Sequence, residues 1–343
     1  MQVDIILAGD FGPPEVARLG SLAEGYGIRA LWVSDYPAAP DPIIALSRLA
    51  LESKRILVGA LAINPYELHP LKMAGSLLTL NELSHGRACA LIGAGGGTSG
   101  TTAGRRERKV RAVGECITIV RQAARAHAVD HQGEIYTVRR YRPAWAVSPP
   151  PLIYAAANKP QMLRMAARVA DGVMVGDMTP AKLREALGIL DAALAACGRS
   201  RADFRVSNFW AWHVKQDGQR ARREACRELA LRGMLNEWYL RPFLSETQLE
   251  LVRAHRGAFF KAFSSGSGVI EGVPPEIVDT LVENLTCTGS LDDLDRHVER
   301  LREFARLGLS EIALRLHDDP EEGIRMIGEV VVPALQKEGS RAD

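Results

Sequence analysis

The stretch PLIYAAANKPQMLRMAARVADGVMVG (residues 151–176) contains one complete strand–helix–strand unit. Residues 151–157 form a short apolar run, residues 159–170 place apolar side chains at helical spacing, and GVMVG (172–176) is a second apolar run. Strands that are joined by a helix in this way run parallel, with a right-handed crossover. The unit therefore predicts an α/β protein that is built on a parallel sheet.

Apolar runs of strand length recur on both sides of this unit, and nearly all of them are followed by a helical pattern. They are VDIILAG (3–9), ALWVSD (30–35), RILVGALAI (55–63), RACALIG (87–93), FRVSNFWAWHV (204–214) and EIALRLH (311–317). With the two runs above, they favour a single-domain (β/α)8 TIM barrel over residues 1–343, and a doubly wound open sheet is the alternative. Insertions at about 129–147 and 233–272 interrupt the alternation, and we expect them above the strand ends, where they shape substrate access.

The composition argues against several classes of function. The net charge of +2 is too small to indicate nucleic-acid binding, and the one dense basic run, RRERKVR (105–111), is typical of a solvated helix face. The five cysteines are scattered without a C-x-x-C pair, which argues against disulfides and a zinc site. The first residues lack a basic leader, and no apolar run is long enough to span a membrane, so we expect a cytoplasmic protein without a membrane partner.

A glycine-rich stretch, LIGAGGGTSG (91–100), follows the fourth predicted strand. A Walker A loop needs a lysine after its last glycine, and none follows here. A G-x-G-x-x-G match exists, but a long helical pattern (about 103–127) occupies the place where a Rossmann unit would carry its acidic residue. We therefore expect bare backbone N–H groups that face an anion, with a loop of tight turns as the alternative.

The carboxyl ends of the strands hold the chemistry of a (β/α)8 barrel. The residues found there are Asp10, Asp35, Tyr36, Asn64, Ala94–Gly97, Asn158, Lys159, Asp177, Arg315 and His317. Asn158 is a candidate N-cap of the helix after the fifth strand, where free N–H groups and Lys159 favour a second anion site. Two neighbouring anion sites fit a cofactor with a phosphate tail. His127 and His131 lack an accompanying H-E-x-x-H glutamate, so surface histidines are favoured over a metal site.

Four stretches of the chain resemble the luciferase-like flavin and deazaflavin oxidoreductases. They are ALWVSDYP (30–37), VGALAINPYELHP (58–70), LNELSHGRACALIGAG (80–95) and YAAANKPQMLRMAARVADGVMV (154–175). The second stretch is most similar to the branch of methylenetetrahydromethanopterin reductase and its coenzyme F420-dependent relatives. The resemblance covers about residues 1–180 and fades in the C-terminal half. It implies a (β/α)8 barrel, usually dimeric, that binds F420 or FMN at the carboxyl ends of the strands.

The resemblance also implies roles for individual residues. Asp35 and Asn64 match contacts to the deazaflavin or its ribityl chain, and Leu61–Ala62 matches a cis peptide that bulges the third strand behind the ring. The other residues that match a cofactor contact or the phosphate loop are Ala94, Gly95, Gly96, Asn158, Lys159, Gln161 and Met162.

The chain departs from its relatives at two positions that carry acid–base groups elsewhere. Tyr36 stands where many relatives have His, and Gly96 stands where a sugar-phosphate branch has a catalytic Glu, which argues against sugar-phosphate oxidation. Asp35 and Tyr36 are therefore the candidate catalytic residues, with Tyr36 as a proton donor if the pKa of its phenol is lowered. Asp10 and Asp177 are alternative acids, and for each the competing role is a helix cap or a loop-stabilising carboxylate.

We expect substrate to be recognised by the insertion at 233–272 and by side chains near it. The candidates are Asp177, Asn208, Trp210 and Trp212. The matches predict an F420-dependent oxidoreductase that transfers hydride between the deazaflavin C5 and an electron-poor C=C, C=N or iminium carbon of a small molecule. The alternatives are an FMN-dependent monooxygenase that is supplied with reduced flavin by a separate reductase, and a non-catalytic flavin-binding homologue. We expect a homodimer.

Overall fold

A computed structural model of the chain describes residues 1–95, 107–125 and 128–339. The strands are β1 (Gln2–Leu7), β2 (Ala30–Ser34), β3 (Leu57–Ile63), β4 (Ala88–Ile92), β5 (Val129–Gln132), β6 (Thr137–Tyr141), β7 (Leu152–Ala156), β8 (Gly172–Gly176), β9 (Arg205–Val214), β10 (Thr286–Gly289) and β11 (Glu311–Arg315). The helices are α1 (Pro13–Gly25), α2 (Pro42–Glu52), α3 (Pro70–Leu83), α4 (Lys109–Ala124), α5 (Pro160–Val169), α6 (Pro180–Ala196), α7 (Gly218–Glu228), α8 (Glu237–Leu240), α9 (Glu246–Ala254), α10 (Arg256–Ser265), α11 (Pro275–Leu285), α12 (Leu294–Leu307), α13 (Pro320–Met326) and α14 (Val332–Gly339). Within these described ranges, no helix has the length and apolar character needed to cross a bilayer.

Eight parallel strands form the closed barrel that the sequence predicts. Their order is β1-β2-β3-β4-β7-β8-β9-β11, and pairing of β11 with β1 closes the ring. Asp4 of β1 lies opposite both Ala30 of β2 and Ala313 of β11. The alternative of an open sheet is therefore wrong. The carboxyl ends of all eight strands meet at one rim, which we call the barrel mouth.

The strand residues alternate between two apolar layers because successive side chains point to opposite faces of a strand. One face packs against the helices and forms the main core. The other face fills the barrel, where Trp32, Tyr154, Met174 and Phe209 form part of an inner cluster. The rings of Trp32 and Tyr154 meet edge to face, with centroids 5.6 Å apart. The barrel interior is thus packed, which leaves its mouth as the place for a functional site.

A buried ionic network around Arg29 closes the opposite end of the barrel. The Arg29 guanidinium pairs with Asp4 at 2.5 Å and with Glu311 at 2.8 Å. The Trp32 indole donates a hydrogen bond to Asp4, and the Tyr154 hydroxyl donates one to Glu311. Buried charges are tolerated when they are paired and hydrogen-bonded in this way. This end of the barrel is therefore structural.

The first insertion forms an antiparallel hairpin of β5 and β6. Its turn follows Gln132, and the Gly133 N–H donates to the Tyr136 carbonyl at 2.9 Å. The Glu115 carboxylate of α4 accepts backbone N–H groups from residues 134–136 at 2.8 to 3.0 Å. These bonds hold the hairpin against the barrel.

The second insertion, residues 233–272, contains α8, α9 and α10. These helices pack with α7 and α11 in an apolar cluster that is separate from the barrel core.

The strand β10, which the apolar runs of the sequence do not predict, pairs with the end of β9. The long helix predicted at 103–127 is α4, which begins at Lys109 and ends at Ala124. Residues 96–106 and 126–127 lie outside the described residues, and with them most of the glycine-rich stretch and His127.

Candidate active site at the barrel mouth

Asp35 follows β2 at the mouth, where its backbone N–H donates to the Leu61 carbonyl at 2.5 Å. Its side chain is half-buried, and no side chain or backbone group in the described ranges hydrogen-bonds to the carboxylate. Burial, with the negative charges of Glu67 and Asp41 nearby, raises the pKa of Asp35 from 3.8 to about 6. A carboxyl group with this pKa holds a proton in weakly acidic solution, as a general acid must. Tyr36, the second candidate acid, is 39% exposed.

Three neighbouring strand ends carry only small residues at the mouth: Ala62 on β3, Gly93 after β4 and Ala156 on β7. A Cβ atom placed on Gly93 would lie 3.1 Å from the Ala156 Cβ and 3.5 Å from the Ala62 Cβ. Any larger side chain at Gly93 would therefore occupy the space above these strands. We call these three residues the small-residue floor. It leaves bare backbone along the part of the mouth where the resemblance implies a cofactor.

The loop after β3 is shaped by Asn64, which is buried. Its Oδ1 accepts the backbone N–H groups of Tyr66 and Glu67 at 3.1 and 3.2 Å, and its Nδ2 donates to the Glu67 carboxylate at 2.7 Å. This is an Asx turn, so Asn64 fixes the loop beside the floor. The Leu61–Ala62 peptide is cis, as the resemblance implies, and the pairing of β3 with β4 shifts register between residues 60 and 63.

The end of β4 turns through Gly95, whose φ of +70° lies in the left-handed region that favours glycine. Ala94 is half-buried and packs against the main core. Both residues follow Gly93 of the small-residue floor, at the position where a cofactor contact is predicted. Gly96 lies outside the described residues, so its predicted contact stays a prediction.

Asn158 does not cap the helix that follows β7, contrary to the prediction. Its Oδ1 accepts the Gly176 N–H at 2.7 Å and its Nδ2 lies 3.3 Å from the Gly176 carbonyl, so it joins the ends of β7 and β8 instead. Lys159 takes the N-cap position of α5, and no described side chain caps that helix. The first N–H groups of α5, including those of Gln161 and Met162, therefore keep their capacity to bind an anion beside the exposed Lys159.

Arg232, directly before the second insertion, and Tyr239 within it lie at the mouth. Arg232 forms a bidentate ion pair with Asp177 after β8, with both N–O distances 3.1 Å, and its guanidinium lies 4.9 Å from the Phe209 ring centroid. The Tyr239 hydroxyl accepts a hydrogen bond from Asn158 Nδ2. Burial raises the pKa of Asp177, although Arg232 opposes the effect. The Asp177 carboxylate is thus already paired, and a direct role in binding substrate stays a prediction.

The other substrate candidates lie away from the mouth. Trp210 and Trp212 are buried on the outer face of β9, where Trp210 meets Phe304 of α12 at 5.2 Å between ring centroids. Asn208 hydrogen-bonds to the backbone N–H and carbonyl of Met178. The structure therefore does not bring these side chains together with Asp35.

The opposite face of β9 carries His213, which stacks on His317 beyond the end of β11 with ring centroids 4.5 Å apart. His213 Nδ1 lies 2.7 Å from Glu224, and His317 Nδ1 lies 3.4 Å from Glu228. Burial lowers the pKa of both imidazoles. The described residues contain no group of three or more His, Cys, Asp or Glu side chains that is arranged to hold a metal ion.

Arg315 lies at a strand end, as its sequence position predicts, but its burial is not evident from the sequence. Its side chain lies at the end of β11, and its Nη1 donates to Ser34 Oγ at 3.2 Å. Only 5% of the residue is exposed. Its position at the end of an apolar strand is the signal in the sequence. Arg232 directly precedes the second insertion and Tyr239 lies in it, and neither belongs to a recognisable motif.

Comparison with known proteins finds relatives that match nearly the whole chain. The family model of luciferase-like monooxygenases matches residues 2–311. The chain is 30% identical to 5,10-methylenetetrahydromethanopterin reductase of Archaeoglobus fulgidus, over 98% of this chain and 100% of that one. It is 25% identical to F420-dependent glucose-6-phosphate dehydrogenase of Microbacterium testaceum, over 95% of both. The coenzyme F420-dependent tetrahydromethanopterin reductase of Methanopyrus kandleri superposes with a TM-score of 0.82 at 20% identity, over 97% of this chain and 98% of that one. The chain therefore belongs to the luciferase-like monooxygenase family.

Proposed function

We propose that this protein is a coenzyme F420-dependent oxidoreductase that transfers hydride to or from an electron-poor carbon of a small molecule. The observation that carries the proposal is the small-residue floor beside the uncapped start of α5. The full-length relatives that are named for F420 dependence support the same cofactor. Family membership makes the chain an F420- or flavin-dependent oxidoreductase, and the direction and substrate of the reaction belong to the proposal.

The residues at the mouth fit a cofactor with a flat ring and a phosphate tail. Ala62, Gly93 and Ala156 leave room for a ring against backbone, since one added Cβ at Gly93 would already crowd its neighbours. The N–H groups at the start of α5 and the Lys159 ammonium suit a phosphate. When bound, F420 supplies a carbon that gives or accepts hydride. The Asn64 loop and the Asn158 bridge keep these groups in place.

The side chains across the mouth handle protons and water. Asp35 is protonated below about pH 6, because burial and its acidic neighbours raise its pKa. We infer that it delivers or holds the proton that accompanies reduction of a C=C or C=N bond, with Tyr36 as the second donor. The second insertion, which is anchored by its Tyr239 and by Arg232 directly before it, limits the access of water from the β7 and β8 side.

Cofactor binding is the first test. The full-length protein is titrated with F420 and, separately, with FMN, and binding is followed by fluorescence. We expect saturable F420 binding that Gly93→Val abolishes, because the added side chain fills the floor. Gly188→Val is the matched control, since a Cβ at Gly188 meets nothing within 4 Å. Tight FMN binding with O2-dependent turnover and no F420 affinity would contradict the proposal and favour the monooxygenase.

Turnover is the second test. The protein with reduced F420 is incubated without oxygen with a panel of enones, imines and iminium compounds, and F420H2 oxidation is compared with product formed. We expect one product per F420H2 for at least one class of acceptor. Cofactor binding without turnover on any acceptor in either direction would instead favour the non-catalytic homologue. The predicted homodimer and separate reductase stay predictions.

A further inference from the structure

Arg315 is a buried cation without a counter-ion in the described part of the chain. Only 5% of the residue is exposed, and its one hydrogen bond, at 3.2 Å, goes to the neutral Ser34 hydroxyl. Two arginines that are less buried are paired: Arg29 pairs with two carboxylates, and Arg232 pairs with Asp177. Burial of an unpaired guanidinium is unfavourable, so a partner that is absent from the chain would explain its retention.

Ser34 holds Arg315 at the mouth and leaves the rest of its guanidinium available. The Ser34 hydroxyl donates its proton to the Leu7 carbonyl at 3.0 Å, so the same oxygen accepts from Arg315 with a lone pair. A guanidinium has five N–H donors in a rigid fork that matches two oxygens of a carboxylate or phosphate. The single bond to Ser34 leaves such a two-point contact open.

The charges around Arg315 favour an incoming anion. Burial lowers the pKa of Arg315, and the positive charge of Arg232 lowers it further. Tyr36, Glu228 and Asp10 act in the opposite direction, but none of them forms an ion pair with Arg315 within the described ranges. Arg232 itself is neutralised by Asp177. Arg315 itself therefore keeps a positive charge that no carboxylate of the described residues pairs with.

The position of Arg315 separates it from the proposed cofactor residues. Those residues lie on β3, β4 and β7, whereas Arg315 ends β11, which is followed in the barrel by β1 and β2. The Asp35 carboxyl follows β2 directly after Ser34. A molecule that is held by Arg315 would therefore lie on the side of the mouth that faces the proposed proton donor.

We propose that Arg315, positioned by Ser34, binds an anionic oxygen group of the substrate, a carboxylate or a phosphate. The proposal rests on the proposed function, because it names the substrate class of the same mouth. When Arg315 pairs with this anionic group, it orients the substrate so that the reacting carbon faces Asp35 and the cofactor. The chain gains stability from the pairing only when the substrate is bound.

The test measures anion binding by the full-length protein at constant ionic strength, with and without saturating F420. Sodium acetate and inorganic phosphate are titrated separately, with chloride as the reference, and the melting temperature and calorimetric heat are recorded. We expect one of the two anions to raise the melting temperature with saturation. Arg315→Gln should weaken that binding about 10-fold or more, and Arg315→Lys less, because it keeps the charge but loses the fork. Acetate and phosphate thus distinguish the two substrate classes.

Arg222→Gln is the matched control, since this exposed arginine pairs with Asp279 on the outer surface. It should bind the anion as the original chain does. Without anion, Arg315→Gln should melt at the same or a higher temperature, because a buried unpaired charge is removed. Unchanged anion binding in Arg315→Gln, a clear loss of melting temperature, or loss of F420 affinity would each overturn the proposal. Arg315-dependent anion binding in a protein that fails to bind F420 would overturn only the proposed function.

Discussion

Replacement of Asp35 by asparagine tests whether the ionised Asp35 carboxylate destabilises the folded protein. The pKa of Asp35 is about 6 in the folded protein and 3.8 without its surroundings, so the folded state binds the proton more tightly than the unfolded chain does. Above both values the ionised group destabilises the fold. The difference corresponds to about 3 kcal/mol at most. Since the side chain is partly exposed, screening by water reduces this to about 1–2 kcal/mol.

The measurement is urea unfolding of Asp35→Asn and the original chain, followed by circular dichroism between pH 4 and pH 8. We expect the substitution to raise the free energy of unfolding by about 1–2 kcal/mol at pH 8. The gain should shrink as the pH falls below about 6 and be smallest at pH 4, because both states carry the neutral acid only below the unfolded-state pKa of 3.8. Asp10→Asn, at an exposed strand end, is the control and should change stability little at any pH. A less stable Asp35→Asn at pH 8, or a gain that is independent of pH, would refute this reasoning.

Three further substitutions test which residues stabilise the fold and which support cofactor binding. Glu311→Gln breaks the buried network at the closed end and should cost about 3–5 kcal/mol in urea unfolding. The exposed Glu299→Gln should cost little, and equal effects would contradict the network's role. Trp210→Ala opens a cavity between β9 and α12 and should cost about 3–5 kcal/mol. The F420 affinity of this variant should not change, and weakened affinity in a stable protein would show that the Trp210 indole contributes to the cofactor site. Tyr239→Phe removes the hydroxyl that accepts from Asn158, so F420 titration should show about 2- to 10-fold weaker binding. Unchanged F420 affinity would show that the contact between Tyr239 and Asn158 does not support the cofactor site.

Local sequence signals were sufficient to predict the strand and helix positions. The strand predicted at 204–214 is β9 at 205–214, and the helix predicted at 159–170 is α5 at 160–169. Apolar runs, helical spacing and proline at the first helical turn are properties of neighbours along the chain, so they can be read without the fold. Eight such units also predicted the closed barrel, because right-handed crossovers leave few other arrangements.

The direction and partners of individual side chains required the tertiary structure. Barrel strands are apolar on both faces, so alternation alone does not tell which face points inward. Trp210, a substrate candidate from the sequence, packs against Phe304 of α12 instead. Asn158 was expected to cap its own helix, but its amide meets Gly176, 18 residues further along the chain.

The sequence by itself determined the barrel, the rim at which we expect the chemistry, and Asp35 as a candidate acid, because these follow from the order of strands and from the residues after them. Only the tertiary structure decided that Asp35 is half-buried with a raised pKa, that Arg232 neutralises Asp177 across 55 positions, and that Arg315 is left unpaired among the described residues. The physical reason is that burial and charge pairing depend on segments that are distant in the chain and adjacent in space.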